Sequence, residues 1–466
     1  MRTTGSEQKG HMMFRKSRGR SRRNPGAEFR AVVWMVRHPG MTGAPIAVAA
    51  AMDKFGPTPV GMAAGVVGAG MGAWYRGHPD TFDTIAAPLL RSWRRRWAGA
   101  YVGRRWADLM AACDLTRTHS RTGRVLVPRV MGVRSWSPSI DTVRVKLVPG
   151  QSVRSVVDKA EELADTLKAQ RVAVERGEPG EVVLIVQRDE PFTHLIPSPD
   201  MPEEVADVDP KSLYLGEDEF GRDYCEPLFG THFLRAGATG AGKNSIPAQR
   251  LRQAAPLIRA GLVRPWVIDP KMLEWAWAKP ILDGRYADNP TDAHELIEAF
   301  VVNMERKQKR MQREKLRKAP LSEEYPVDWL IFDEIGYMMA YRPDYAHSIT
   351  EKAAIIASMG RTTHDVLEAF VQEPTKDTVP IRELLPHRVC LRVTDSGHPD
   401  MVLGDGMRKR GAVADEIPEG EDTAGIGFAK APRRPQPRRV RIAYTDDAQL
   451  DELVSFVRTP GLRAVS

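Results

Sequence analysis

Cysteine is scarce in this sequence, with three residues (Cys113, Cys225 and Cys390) in a chain of 466. They lie far apart and form no CxxC pair, which excludes a disulfide framework and a zinc site and is typical of a reducing cytoplasm. Long hydrophobic runs are also rare, since 27% of the residues are charged and 42% are hydrophobic. These proportions exclude a polytopic transporter, a collagen-like chain and wholesale disorder. At roughly 150 residues per domain, the length predicts two or three structural units.

Positive charge is in modest excess, with 68 Lys and Arg against 60 Asp and Glu and a formal net charge of +8. The excess is clustered rather than spread along the chain. Residues 1–40 are predicted to form a basic flexible arm, in which Arg and Lys alternate with Ser and Gly between Arg15 and Arg23. The charge of this arm suits the phosphates of lipid and of nucleic acid equally.

A membrane segment is predicted over residues 41–76. No residue from Pro57 to Tyr75 is charged, and a helix of this length spans about 28 Å, close to the hydrocarbon thickness of a bilayer. Trp74 and Tyr75 are typical of an interfacial anchor. Because basic clusters flank both sides, we expect a helical hairpin in the cell membrane, with the rest of the chain in the cytoplasm. The alternative is a Gly- and Ala-rich helix that is buried or interfacial.

Four further units follow. Residues 77–135 predict basic juxtamembrane helices whose tryptophans, Trp93, Trp97 and Trp106, lie on lipid headgroups, with DNA contact as the less favoured alternative. Residues 136–200 predict a small αβ adapter domain. Residues 201–450 alternate short apolar strands with helices, which predicts an α/β fold with a parallel sheet and helices on both of its faces. Residues 451–466 are assigned to a C-terminal tail.

The strongest motif is a glycine-rich loop that ends in Lys243 and directly follows an apolar strand. It matches GxxxxGK in the strand–loop–helix context of a phosphate-binding loop, where backbone N–H groups surround the phosphates and the lysine reaches their terminal groups. The following helix adds its positive end. The residues predicted to bind ATP are Gly237, Ala238, Thr239, Gly240, Ala241, Gly242, Lys243, Asn244 and Ser245.

The position after the lysine departs from the motif, because the hydroxyl residue that would bind Mg²⁺ is replaced by Asn244. An amide is a poorer ligand for a hard cation than a hydroxyl, so Ser245 is the alternative ligand. The partner motif is an apolar run that ends in two acids. We predict that Asp333 holds the metal and that Glu334 orients the attacking water.

Three other positions are candidates for catalysis. Gln372 follows an apolar strand and is predicted to sense the γ-phosphate. Arg361 and Arg388 are predicted to reach the nucleotide of a neighbouring subunit as arginine fingers.

Five blocks, taken in order, resemble the motor of the FtsK/SpoIIIE family of DNA translocases. They are GATGAGK at 237–243, VIDPKMLEWA at 267–276, NMERKQKRM at 303–311, LIFDE at 330–334 and PHRVCLRV at 386–393. The similarity covers roughly residues 210–450. The N-terminal features resemble the subset of TraB/TraSA-type transfer proteins, which are encoded on actinobacterial integrative and conjugative elements.

The resemblance implies a RecA-like P-loop ATPase that forms a homo-hexameric ring around double-stranded DNA and moves it with ATP and Mg²⁺, with no small-molecule substrate beyond ATP. Asp269 and Lys271 fall on the family's DPK block, near the subunit interface. The expected function is membrane-anchored, ATP-driven translocation of double-stranded DNA, for intercellular transfer of a plasmid or integrative element.

Two alternatives remain beside this function. The first is a motor for protein secretion, because secretion ATPases share the fold and the motifs. The second is a scaffold or regulator with a degraded nucleotide site. It is motivated by Asn244 and by three polar residues, His364, Asp365 and Glu368, at positions where the family is more apolar.

Overall fold

The computed structural model describes residues 39–272, 274–337, 343–375, 378–432 and 434–459. The basic arm predicted over residues 1–40 therefore lies almost wholly outside the described residues. The description begins with two helices, α1 (Pro39–Phe55) and α2 (Pro57–Gly77). They are separated by Gly56, whose φ of +85° is left-handed and suits glycine, and Pro57 is favoured in a first helical turn.

The helix α2 contributes no buried residue to the fold. Over the part of the chain that the structure describes, no helix combines the length and the apolarity needed to cross a bilayer. The membrane hairpin predicted over residues 41–76 is therefore unsupported.

The N-terminal domain, residues 87–187, packs helices against a four-stranded antiparallel sheet of order β3-β4-β6-β5. A π-helical turn over Phe82–Ala86 leads into it. Its elements are α3 (Ala87–Ala98), α4 (Gly103–Ala112), β1 (Arg117–Thr118), β2 (Val125–Leu126), β3 (Arg129–Ser135), β4 (Ile140–Lys146), α5 (Val153–Val157), α6 (Ala160–Leu167), β5 (Arg171–Arg176) and β6 (Glu181–Gln187).

The basic helices belong to this domain and do not form a separate layer. Trp106 of α4 is 4% exposed and donates a hydrogen bond to the Pro128 carbonyl at 2.7 Å. Arg95 of α3 pairs with the buried carboxylate of Asp141 at 2.7 Å. The prediction that Trp106 lies on lipid headgroups is therefore wrong, because the ring fills the core between α4 and the sheet. The predicted boundary between residues 135 and 136 cuts this single core.

The C-terminal domain, residues 213–459, contains ten strands and six helices among its described residues. Its elements are β7 (Leu213–Asp218), β8 (Asp223–Glu226), β9 (Phe233–Ala236), α7 (Ser245–Gln253), α8 (Ala255–Arg259), β10 (Val263–Ile268), β11 (Tyr286–Ala287), α9 (Pro290–Glu314), β12 (Val327–Phe332), α10 (Pro343–Met359), β13 (Asp365–Val371), β14 (His387–Leu391), α11 (His398–Leu403), β15 (Ile426–Ala431), β16 (Arg434–Ile442) and α12 (Asp447–Arg458).

The ten strands form one mixed sheet of order β11-β10-β12-β13-β9-β14-β15-β16-β7-β8. The six strands from β11 to β14 in this order are parallel, and every later pair is antiparallel. The predicted parallel sheet is thus correct for β9–β14 and wrong for the rest. Connections as short as those between β7 and β8 and between β15 and β16 permit antiparallel pairing only.

Helices cover both faces of this sheet, as predicted. Phe300 of α9 and Ile356 of α10 are buried on one face, and Leu251 of α7 and Leu453 of α12 on the other. The C-terminal tail predicted from residue 451 therefore begins inside a packed helix, and residues 460–466 lie outside the described part.

A cluster of buried charges fixes the centre of the sheet. Arg235, which lies on β9 and is fully buried, binds Glu226 of β8 and, at 2.7 Å, Glu368 of β13. Arg250 of α7 lies 3.4 Å from Glu368 and donates to the Pro227 carbonyl at 3.1 Å. Burial acts to raise the pKa of Glu226, but Arg235 outweighs it and lowers that pKa to about 2. Glu226 is therefore ionised, and the cluster joins β9 to the helix α7.

Two of the three polar residues at 364–368 are accounted for by such contacts. Glu368 belongs to the cluster just described, and Asp365 binds Lys307 of α9 at 2.7 Å. His364 packs on Phe229 with ring centroids 4.2 Å apart and ring planes tilted by 40°, and both of its ring nitrogens are buried without a hydrogen-bond partner. Burial lowers the pKa of its imidazole to about 4. The departure from an apolar pattern is thus matched by charged partners at Asp365 and Glu368.

Ion pairs also join the two domains. Arg171 of β5 binds Glu219, and Arg438 of β16 binds Glu175 at 3.1 Å. Arg439 of β16 binds Glu190. The N-terminal domain therefore sits against the antiparallel half of the large sheet through buried charges.

Glu368→Gln is expected to lower the free energy of unfolding by about 3 kcal/mol, because it leaves Arg235 and Arg250 buried with reduced compensation. Urea denaturation followed by circular dichroism measures this. The exposed Glu323→Gln is the matched control and should change the value by less than about 0.5 kcal/mol. Equal midpoints for the two variants would show that the cluster contributes little to stability.

Candidate functional site: a phosphate-binding loop and two acids

The glycine-rich loop connects β9, which ends at Ala236, to α7, which begins at Ser245. Gly240 and Gly242 have φ of +73° and +86°, the left-handed conformation that favours glycine. A Cβ on Gly242 would lie 2.6 Å from the backbone nitrogen of Gly425. The loop therefore needs glycine at 242 for two independent reasons, backbone conformation and close packing.

Lys243 is folded back over this loop. It is 9% exposed, and its ammonium donates hydrogen bonds to the carbonyls of Gly237 at 2.8 Å and Ala238 at 3.3 Å. Burial lowers the pKa of Lys243, because removal from water disfavours the charged form. The Lys243 ammonium thus lies at the opening of the loop, where a bound anion would compensate for its lost hydration.

The loop faces a cavity of 670 Å³ that also receives side chains from the segments after three other strands, β10, β12 and β13. Its lining residues are Ala238, Thr239, Gly240, Ala241, Gly242, Lys243, Asn244, Ser245, Lys271, Glu274, Asp333 and Gln372. The structure thus brings together every residue predicted to bind the nucleotide except Gly237, whose carbonyl holds Lys243. Both predicted metal ligands, Ser245 and Asp333, are in the lining.

Asp333 follows β12 and is 2% exposed. Burial raises the pKa of its carboxyl group to about 7; Lys271 opposes this shift, whereas Glu274 and Asp269 add to it. A buried carboxyl group whose pKa is raised in this way is stabilised in its ionised form by a neighbouring cation. The lining offers a lysine, glycine N–H groups and a carboxylate. This chemistry fits a nucleoside triphosphate with a divalent cation.

Glu334 lies next to this lining in a strained conformation. Its φ of +54° is left-handed, an outlier of the kind that clusters at functional sites. One carboxylate oxygen accepts the backbone N–H of Gln372 at 3.1 Å, and the other lies 3.4 Å from the Lys271 ammonium. The Gln372 side chain in turn accepts a hydrogen bond from the Thr239 hydroxyl at 3.4 Å. Glu334 and Gln372 are thus connected to the loop, and their catalytic roles stay predictions.

The two predicted arginine fingers lie at the opposite edge of the sheet. Arg361 follows α10 in the turn before β13, and it is exposed. Arg388 is near the start of β14 and is 8% exposed, and its guanidinium donates to the carbonyls of Leu385, Val402 and Arg382. Neither lines the cavity of its own chain, and action on a neighbouring subunit stays a prediction.

Two residues of the site were missed by sequence reasoning. Arg392, just after β14, donates to the Thr239 carbonyl at 2.6 Å and lies 3.4 Å from Glu419. Glu274 accepts a hydrogen bond from the Asn244 side chain. The position of Arg392 at a strand end was a signal, but it became informative only once β14 was known to lie beside β9.

These features define a class of protein. A glycine loop follows a central parallel strand and leads into a helix, and a buried carboxylate ends the strand two places along the sheet. This is the arrangement of P-loop ATPases.

Comparison with known proteins gives the particular relatives. The N-terminal domain family of actinomycete conjugal transfer proteins matches residues 92–188. The chain is 24% identical over 347 residues to the DNA translocase FtsK of Halalkalibacterium halodurans, covering 69% of this chain and 42% of that protein. It is 23% identical over 400 residues to FtsK of Corynebacterium efficiens, covering 76% of this chain and 40% of the relative. The chain therefore spans less than half the length of the curated relatives it matches.

A solved structure of the pCW3 conjugation coupling protein TcpA, in a monomer form with ATPγS, is also similar. It is 18% identical and covers 71% of this chain and 93% of that one, with a TM-score of 0.49. The resemblance to the FtsK/SpoIIIE DNA translocases and to the TraSA-type transfer proteins is confirmed by the sequence comparisons.

Two alanine substitutions separate the two reasons for glycine in the loop. Gly240→Ala introduces strain alone, since its Cβ meets nothing closer than Arg392 at 3.9 Å, and should lower the free energy of unfolding by about 1 kcal/mol. Gly242→Ala adds the collision with Gly425 and should lower it by about 3 kcal/mol. Denaturation in the absence of nucleotide measures both values. Equal losses would show that the contact with Gly425 yields without cost.

Proposed function

We propose that this protein is an ATP-driven translocase of double-stranded DNA. The single observation that carries the proposal is the shared cavity. Lys243, the glycine loop and Asp333 converge on one space large enough for a nucleotide, and Glu334 is held at its margin. The relation to FtsK supports DNA as the substrate, because those relatives are DNA translocases.

Each residue has a defined part in the proposed reaction. Gly240 and Gly242 shape the loop around the β-phosphate, and Lys243 leaves the carbonyls of Gly237 and Ala238 to bind the β- and γ-phosphates. Asp333 would hold Mg²⁺, which when bound would neutralise charge that develops on the phosphates. Glu334 orients the attacking water and accepts its proton.

The cellular setting is part of the same proposal. The match to conjugal transfer proteins over residues 92–188 supports transfer of a plasmid or integrative element between cells. We further propose a homo-hexameric ring. In this ring Arg361 and Arg388, which lie at the edge of the sheet opposite the phosphate loop, face the nucleotide of the next subunit. A place at the cell membrane, with the C-terminal domain in the cytoplasm, is supported by the uncharged run 57–75, whose helix buries none of its side chains.

ATP hydrolysis by the full chain, with and without duplex DNA, tests the proposal. Duplex DNA should stimulate hydrolysis, and Lys243→Ala should abolish it. Glu334→Gln should slow turnover by about 10²–10⁴-fold, because the water loses its base, while ATPγS still binds. Unchanged hydrolysis in Lys243→Ala would remove the site assignment. Stimulation by a peptide instead of DNA would favour a secretion motor, and binding without turnover in the wild type would favour a scaffold.

A second cavity supports a nucleotide rather than a bare polyphosphate as the ligand. It has a volume of 530 Å³ and shares Gly240 with the first. The remaining lining is Leu195, Glu419, Gly420, Glu421, Ala424 and Tyr444. Tyr444 and Leu195 are about half exposed, at 50% and 48%. An aromatic and an aliphatic side chain beside the phosphate loop are suited to the flat face of a purine base.

Tyr444→Ala is expected to weaken ATPγS binding about fivefold, because stacking of a base on an aromatic ring is lost. The affinity for tripolyphosphate, which has no base, should not change. Tyr444→Phe keeps the ring and should bind both ligands as the wild type does. Calorimetric titration gives the six dissociation constants, and an equal loss for ATPγS and tripolyphosphate in Tyr444→Ala would contradict the assignment of the base to this cavity.

A further inference from the structure

The residue after the phosphate-loop lysine is the point at which this chain departs from the motif, and the structure shows what Asn244 does instead. Its side-chain amide nitrogen donates a hydrogen bond to one carboxylate oxygen of Glu274. The two residues are far apart in sequence, since Glu274 follows β10 and Asn244 precedes α7. The amide therefore uses its donor group on a carboxylate.

Glu274 is held in place from its other side by the loop that follows β10. Asp269 is fully buried and accepts hydrogen bonds from the backbone N–H of Trp275 at 3.0 Å, the backbone N–H of Lys271 at 3.2 Å and the Tyr286 hydroxyl at 3.1 Å. Trp275 is 2% exposed. Glu274 thus directly precedes a buried anchor, while its own side chain is exposed and lines the cavity.

The charged side chains that line the cavity are compatible with a bound cation. Glu274 and Asp333 both line it, together with Lys243 and Lys271, and the Lys271 ammonium is directed to Glu334 at 3.4 Å. Among the described residues, no group of three or more His, Cys, Asp or Glu side chains could hold a metal ion unaided. A cation here would consequently arrive with phosphates, which is how Mg²⁺ is usually bound, through one or two carboxylates and the substrate.

We propose that Glu274 supplies the magnesium ligand that the missing hydroxyl at position 244 would otherwise supply, and that Asn244 is the positioning residue that holds its carboxylate. This inference rests on the proposed function of the cavity as a site for ATP. One oxygen of Glu274 accepts from Asn244, and the other would be the metal ligand, together with Asp333 from the same lining. A carboxylate is a better ligand for a hard cation than the amide of Asn244 would be, so the loss of the hydroxyl at 244 is compensated.

Mn²⁺ binding in the presence of ATPγS, followed by electron paramagnetic resonance on the full chain, tests the inference without turnover. Glu274→Gln should weaken Mn²⁺ binding at least tenfold, while ATPγS affinity in EDTA stays unchanged. Asn244→Ser in the Glu274→Gln background restores the motif hydroxyl and should recover most of the loss. Glu373→Gln, an exposed carboxylate outside the lining, is the matched control.

The outcomes separate this inference from the function on which it rests. Wild-type Mn²⁺ affinity in Glu274→Gln would overturn the assignment of Glu274, as would a loss of ATPγS affinity in EDTA, which would indicate a structural role. Failure of Asn244→Ser to rescue Glu274→Gln would overturn the exchange of ligands between the two positions. Failure of the proposed function is distinguished by a different result, in which Lys243→Ala binds ATPγS as the wild type does.

Discussion

The placement of the phosphate loop depends on one buried interaction, the ion cluster centred on Arg235. This residue lies one position before the end of β9, and Glu226 and Glu368 bind it from the strands β8 and β13. Arg250 brings α7 into the same cluster. The strand before the loop and the helix after it are therefore fixed to a common point below the loop. Because buried charges are tolerated only when paired, the loop has little freedom to shift while the cluster is intact.

Much of the site could be predicted from the sequence because its signals are local. The glycines up to Lys243 and the apolar run before Asp333 each reveal a strand end, and parallel strands place such ends at one edge of a sheet. Residues that reach the site only because of the order of the strands in the sheet could not be predicted in this way. Arg392 and Glu274 reach the loop only through the neighbouring positions of β14 and β10, and the antiparallel half of the sheet carries no chemical motif.

The N-terminal region shows how an average property misleads. The tryptophans and arginines of residues 84–110 have the composition of a membrane-surface helix, yet Trp106 lies in a protein core and Arg95 is paired with Asp141. The helix α3 ends at Ala98, with Gly99 as its C-cap, and α4 begins at Gly103, so the stretch is two helices rather than one. Composition alone does not show whether a helix lies on a lipid surface or on the apolar face of a sheet, because aromatic side chains are favourable in both environments. The family match over residues 92–188 covers this same unit.

The ion pairs between the domains limit where the chain can be divided. A fragment that starts at residue 201 would lose Glu175 and Glu190, which bind the buried Arg438 and Arg439, and would leave Arg438 paired with Glu219 alone. One that starts at Ser139 would discard β3 and α4 and open the apolar layer around Trp106. Excision near residue 87 keeps both sets of contacts. Biochemical fragments made on motif boundaries alone would therefore lose solubility for reasons unrelated to the nucleotide site.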